Sequence, residues 1–86
     1  MEKQFTIKNP QGVHARPAGA IMKKASEFPD AQVSLEFKGR KVSAKSITGV
    51  LTLGMKAGDV ITVSAEGDKA EQAIDAVGAV LESVLD

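Results

Sequence analysis

From Glu2 to Lys8 the chain alternates: Phe5 and Ile7 take one side, and Gln4, Thr6 and Lys8 take the other. That spacing predicts a half-buried strand, which the turn residues Asn9-Pro10-Gln11-Gly12 end. The period then changes. Ala18, Ile21, Met22 and Ala25 fall at helical spacing while Lys23, Lys24 and Glu27 face away, predicting a helix from Ala15 to about Glu27. Phe28 closes the same apolar face, and Pro29-Asp30 stops the helix. Val33, Leu35 and Phe37 alternate with Gln32, Ser34 and Glu36 in a second strand. Lys38-Gly39 is a tight-turn pair, and Arg40 to Ala44 returns with Val42 and Ala44 inward. Ser46 is a good N-cap for a short helix carrying Ile47, Val50 and Leu51, with Gly54 as its stop. After the turn Lys56-Ala57-Gly58-Asp59, the strand Val60–Ala65 puts Ile61, Val63 and Ala65 on one face. Gly67-Asp68 opens the last helix, with Asp68 and Glu71 spaced as a capping box. Ala70, Ala73, Ile74, Val77, Leu81 and Val84 form its stripe, and Asp75 and Glu82 face water.

The order is therefore β-α-β-β-α-β-α. Helices on one face of an antiparallel sheet make a two-layer α+β sandwich the economical packing. At 86 residues the chain is expected to form one domain over 1–86 with a single modest core. Composition removes several function classes. No cysteine is present, which excludes disulfides and thiolate metal sites. One histidine leaves only carboxylates to complete a zinc site, so neither a metal nor a resident cofactor is expected. No apolar run approaches a membrane span, and residues 1–15 lack a signal-peptide core, so a cytoplasmic protein without membrane insertion is expected. Direct nucleic-acid binding is disfavoured by zero net charge and by three Phe without Tyr or Trp. The charge is uneven, however. Residues 1–45 hold nine Lys/Arg against four Asp/Glu, and residues 46–86 hold two against seven. Either the basic half steers an acidic partner, or the halves interleave and the field averages out.

The chemistry concentrates in Gly12-Val13-His14-Ala15-Arg16-Pro17. The sole histidine offers a nitrogen that is neutral and nucleophilic near pH 7. Gly12 frees the backbone before it, and Pro17 suits a first helical turn. These residues put an imidazole at a helix mouth, where free N–H groups and the dipole favour an anion. The N–H groups of Ala15 and Arg16 and the Arg16 guanidinium can cradle phosphate. A lone histidine in a small domain is more often a surface or capping residue, so this physics makes a phosphoryl-carrying histidine plausible and no more. A hydrolase or transferase reading fares worse, because nothing near His14 supplies a nucleophile with its orienting carboxylate.

Three segments resemble one family. Gly12-Val13-His14-Ala15-Arg16-Pro17-Ala18 resembles the active-site motif of HPr, the histidine-containing phosphocarrier family of the bacterial sugar phosphotransferase system. Ala44-Lys45-Ser46-Ile47-Thr48-Gly49-Val50-Leu51-Thr52-Leu53-Gly54 resembles its regulatory-serine segment, and Val63-Ser64-Ala65-Glu66-Gly67-Asp68 its exit from the last strand. The resemblance spans the entire chain. It implies an open-faced sandwich, a four-stranded antiparallel sheet in the order 1-4-2-3 covered on one face by three helices. It implies a stoichiometric carrier rather than a stand-alone enzyme, expected to be a monomer. Enzyme I would phosphorylate His14, on Nδ1 as in the family, and His14 would pass the group to A-type sugar permease components. Arg16 would stabilise the transfer. Ser46 would be a regulatory phosphorylation site, with an HPr kinase/phosphorylase and a catabolite-control transcription factor as further partners.

Docking is expected to use apolar residues beside the histidine: Ala18, Gly19, Ile47, Leu51 and Met55. Ile47 and Leu51 suit the core equally well. Lys23, Lys24 and Lys45 form a basic rim or are simply solvated lysines. Thr48 departs from the family, where many relatives carry a bulkier apolar residue, which puts partner preference in question. A specialised paralogue of a nitrogen-regulatory or other non-sugar branch shares fold and histidine, and the Lys45-Ser46-Ile47 context favours the sugar branch. Gly19 and Gly78 each lie inside a predicted helix at a cost of about 1 kcal/mol against alanine.

Overall fold

The structure is a computed structural model and describes residues 1–84. Its alternating segments become four strands, β1 (Glu2–Thr6), β2 (Ala31–Phe37), β3 (Arg40–Ser43) and β4 (Val60–Gly67). Its helical segments become α1 (Ala15–Ser26), α2 (Ile47–Thr52) and α3 (Ala70–Leu81). All pairings are antiparallel and the order is β1-β4-β2-β3, as expected. Register keeps like with like: Phe5 faces Ile61, Val33 faces Ala65, and Leu35 faces both Val63 and Val42. A one-residue slip would turn each of these to solvent, so the pattern itself specifies the pairing.

Beneath the sheet, Val33, Leu35, Ile61, Val63 and Ala65 meet Ala18, Ile21 and Ala25 of α1, Val50 of α2 and Ile74, Val77 and Leu81 of α3 in one core. Each large aliphatic side chain buried there stabilises the fold by about 1.5–3 kcal/mol. Gln32, Glu36 and Glu66 lie exposed on the sheet's other face. The turn between β2 and β3 is a tight one, with Lys38 and Gly39 both at positive φ, 53° and 80°. That sense of twist matches the flanking strands. Among the described residues no helix is long and apolar enough to cross a membrane.

Three expectations are corrected at α3. Lys69, not Asp68, is its N-cap, in the left-handed region at φ 60° and without a side-chain cap bond. The Asp68–Glu71 capping box therefore does not form, because Asp68 lies one residue too early. Glu71 instead joins Asp75 around Lys3 of β1, at 3.5 and 2.8 Å. The hydrogen bond to Asp75, with its charge and that of Glu71, raises the Lys3 pKa above the ordinary lysine value. The contribution is complete at neutral pH and is lost as alkaline pH passes that raised value, but the pair is exposed and worth little. Val84 is also exposed, since α3 ends at Leu81 and its stripe ends there. Gly78, unexplained by the sequence, is buried where α3 crosses β1 and has the Phe5 ring packed against its Cα.

Candidate functional site

The loop between β1 and α1 delivers His14 to the helix mouth. Asn9-Pro10-Gln11-Gly12 closes as a turn, Gly12 N–H donating to Asn9 O at 2.8 Å. Gly12 then adopts φ 71°, which favours glycine, and a Cβ there would lie 2.6 Å from Met55 O. Backbone sterics, rather than ligand access alone, thus require this glycine. Val13 N–H donates to the same Met55 O at 3.0 Å, tying the histidine loop to the segment leaving α2.

His14 is the N-cap of α1, with extended backbone at φ −110° and ψ −164°, and its side chain makes no cap bond. Its carbonyl accepts from Ala18 N–H at 2.9 Å. Pro17 has no N–H to offer, so the open donors of the first turn are those of Ala15 and Arg16, both exposed. No acidic side chain lies in that turn. The ring itself is asymmetric: Nε2 is buried and, among the described residues, is the one buried side-chain polar atom without a hydrogen-bond partner. A buried nitrogen cannot be approached in line by a phosphorus atom, so Nε2 is closed to that chemistry as the ring stands. The mouth brings together one half-buried imidazole, two free N–H groups and an exposed guanidinium, an arrangement that can accept and hold a phosphoryl group.

Ser46 is the N-cap of α2, its Oγ accepting from Gly49 N–H at 3.0 Å. Ser46 and the flanking Ile47 and Thr48 are exposed residues on that turn. Ile47 and Leu51 are 37 % and 38 % exposed, so these two are surface rather than core, and Val50 alone of α2 is buried. Two expected docking residues are corrected. Ala18 is fully buried against the sheet and Met55 is 3 % exposed beneath the histidine loop, so neither presents a side chain to a partner. Gly19 stays half-exposed with open space over its Cα. The basic rim also shrinks. Lys45 Nζ donates to the carbonyls of Phe28 and Ala31 at 3.3 and 3.2 Å, locking the α1–β2 turn, and Lys24 pairs with Glu27 at 3.3 Å. The sequence reading missed Asn9, the one buried polar side chain among the described residues. The signal for it was an asparagine opening a turn, a position where its amide can reach the backbone ahead.

The family model described as the PTS HPr component phosphorylation site matches residues 1–83. Among solved structures, the chain is similar to the phosphocarrier protein HPr from Bacillus anthracis, with 34% identity, a TM-score of 0.89 and coverage of 95% of this chain and 96% of that one. It is similar to HPr-C-His from Thermoanaerobacter tengcongensis at 43% identity, TM-score 0.87, covering 94% and 90%. It is also similar to Crh, the Bacillus subtilis catabolite repression protein, at 34% identity, TM-score 0.77, covering 93% and 92%.

Proposed function

The chain belongs to the HPr phosphocarrier family of the phosphotransferase system, and on that premise we propose that His14 accepts a phosphoryl group from phosphorylated enzyme I and passes it to A-type sugar permease components. The observation that carries the reading is the histidine's place at the α1 mouth, one ring nitrogen buried and the N–H groups of Ala15 and Arg16 open. In the forward step the Nδ1 lone pair attacks phosphorus, the bond from phosphorus to the donor breaks, and that electron pair returns to the donor. The reverse geometry serves the acceptor. Alignment and charge stabilisation supply most of the catalysis of such a transfer. Ala15 and Arg16 N–H groups hold the oxygens, and the Arg16 guanidinium meets the charge that spreads over them. Incubation with phosphoenolpyruvate and a catalytic amount of enzyme I, followed by intact mass, is expected to add one acid-labile phosphate. An unchanged mass would end the proposal.

Arg16 acts in this reading on transfer rather than on folding, because it is exposed and makes no side-chain hydrogen bond among the described residues. Arg16→Glu is expected to slow transfer by about a hundredfold, the scale of losing one preorganised donor. Its melting temperature should stay close to that of the unchanged protein, and a large loss of stability with normal transfer would make Arg16 structural.

Ser46 is the regulatory site of the proposal. Aspartate caps a helix as well as serine does, so Ser46→Asp should keep the fold. It places negative charge beside Ile47 and Leu51, the exposed apolar pair through which enzyme I and the permease components would dock. Phosphate adds about two charges there. We expect Ser46→Asp to lower the rate of His14 phosphorylation by about fivefold at low salt and less as screening rises. Equal rates across salt concentrations would leave Ser46 a helix cap only. An HPr kinase/phosphorylase would install the phosphate, and a catabolite-control transcription factor with a basic pocket would read it.

Similarity to Crh favours a second reading, a specialised regulatory branch of the same family. Transfer onward from phosphorylated His14 to an A-type sugar permease component separates the two, since only the sugar carrier requires it.

A further inference from the structure

The peptide unit joining Gly12 to Val13, immediately before His14, is held at both poles. Its carbonyl oxygen accepts from Asn9 Nδ2 at 2.8 Å, and its N–H donates to Met55 O at 3.0 Å. Asn9 is 5 % exposed, and no other polar side chain among the described residues is buried. The same residue therefore makes both closures of the turn: its backbone oxygen takes Gly12 N–H, and its amide takes Gly12 O. Pro10 pre-sets the turn between them. The Met55 contact alone leaves the plane able to rotate, because one hydrogen bond fixes one end of a peptide, and Gly12 has no Cβ to resist a flip.

We propose that Asn9 is a positioning residue for phosphoryl transfer, setting through the Gly12–Val13 peptide plane where the His14 imidazole sits relative to the open N–H groups of Ala15 and Arg16. The inference rests on the reading of His14 as the acceptor. Asn9 never touches the phosphate. Its amide keeps the loop from relaxing, and with it the line from the reacting nitrogen to the incoming phosphorus. A misplacement of about 1 Å at such a site costs about a hundredfold in rate, so even a partial relaxation is measurable. An aspartate at this position is nearly the same shape but has no N–H to give, and its carboxylate would face the Gly12 carbonyl oxygen. It isolates the donor from the packing.

The test uses Asn9→Ala and Asn9→Asp in the full chain, each confirmed folded at the assay temperature by its melting curve. Steady-state phosphorylation by enzyme I is measured with this protein as the varied substrate. Expected is a fall in kcat of about tenfold or more for both variants, with KM changed less than about twofold because Ile47 and Leu51 keep their places. Amide hydrogen exchange supplies a readout free of phosphate chemistry: Val13 should exchange faster in both variants, while β4 and α3 keep their protection. An unchanged kcat in a folded variant overturns the proposal, as does a rise in KM alone. If the unsubstituted protein takes no phosphate, the acceptor reading fails by itself. Unaltered Val13 exchange in the variants would then overturn the positioning claim independently.

Discussion

His14→Ala is expected to remove all phosphate transfer from phosphoenolpyruvate while leaving the fold in place. The loss is complete rather than partial because the chain holds no second histidine to substitute. Helix α1 should form regardless. The His14 side chain makes no cap bond, and the residue's contribution to the helix is its carbonyl, which alanine also has and which accepts from Ala18 N–H. Removing the ring forfeits some packing but also removes Nε2, a buried polar atom without a partner, and such atoms are destabilising. The two effects oppose each other, and the net change should be below about 1 kcal/mol. The checks are intact mass after incubation with enzyme I and a thermal melt. Labelling that persists in a folded His14→Ala protein would place the acceptor elsewhere.

Gly78→Ala carries the second large effect, and its sign is the test. In an ordinary exposed helix this exchange stabilises by about 1 kcal/mol. Here the new methyl group would occupy the space of the Phe5 ring, which packs directly on the Gly78 backbone where α3 crosses β1. Phe5 has to swing toward solvent or α3 has to lift from the sheet. Overpacking of this kind costs about 1–3 kcal/mol, enough to outweigh the gain in helix propensity. In a domain of this size each kcal/mol lowers the melting temperature by about 4–8 °C. Truncating the ring should relieve the clash, so Gly78→Ala should cost far less in a Phe5→Ala background. A rise in melting temperature for the single substitution would show that the helix and ring accommodate a methyl group freely.

These two sites mark where the amino-acid sequence is informative and where it stops. Alternation at Phe5/Ile7, Val33/Leu35 and Ile61/Val63 was legible because a strand with one buried face has to repeat every second residue. Ser46 was legible as a cap because its oxygen meets a backbone N–H three residues away, a purely local contact. The misses are nonlocal. Nothing near Gly78 in the chain announces Phe5, which lies at the other end of the molecule's sequence. Lys45 reads as a free surface charge until the fold carries the carbonyls of Phe28 and Ala31 beneath it. Met55 and Ala18 are apolar residues beside the site, and only the packing decides that they face inward while Ile47 and Leu51 face out. Asp68 and Glu71 have capping-box spacing, yet Lys69 turns left-handed and moves the helix start past Asp68, leaving Glu71 inside the first turn. For the candidate site, residue identity was legible and orientation was not. The histidine, arginine and proline mark a helix mouth, but the burial of Nε2 is set by the fold and not by these neighbours.

That orientation gives the account its most direct test. The protein is labelled with ¹⁵N-histidine, phosphorylated by phosphoenolpyruvate and catalytic enzyme I, and examined by nitrogen and phosphorus NMR. One phosphoryl group bonded to Nδ1 of His14 is the predicted result. A phosphoryl group on Nε2, or phosphate bound to the protein with both His14 nitrogens unmodified, would contradict it.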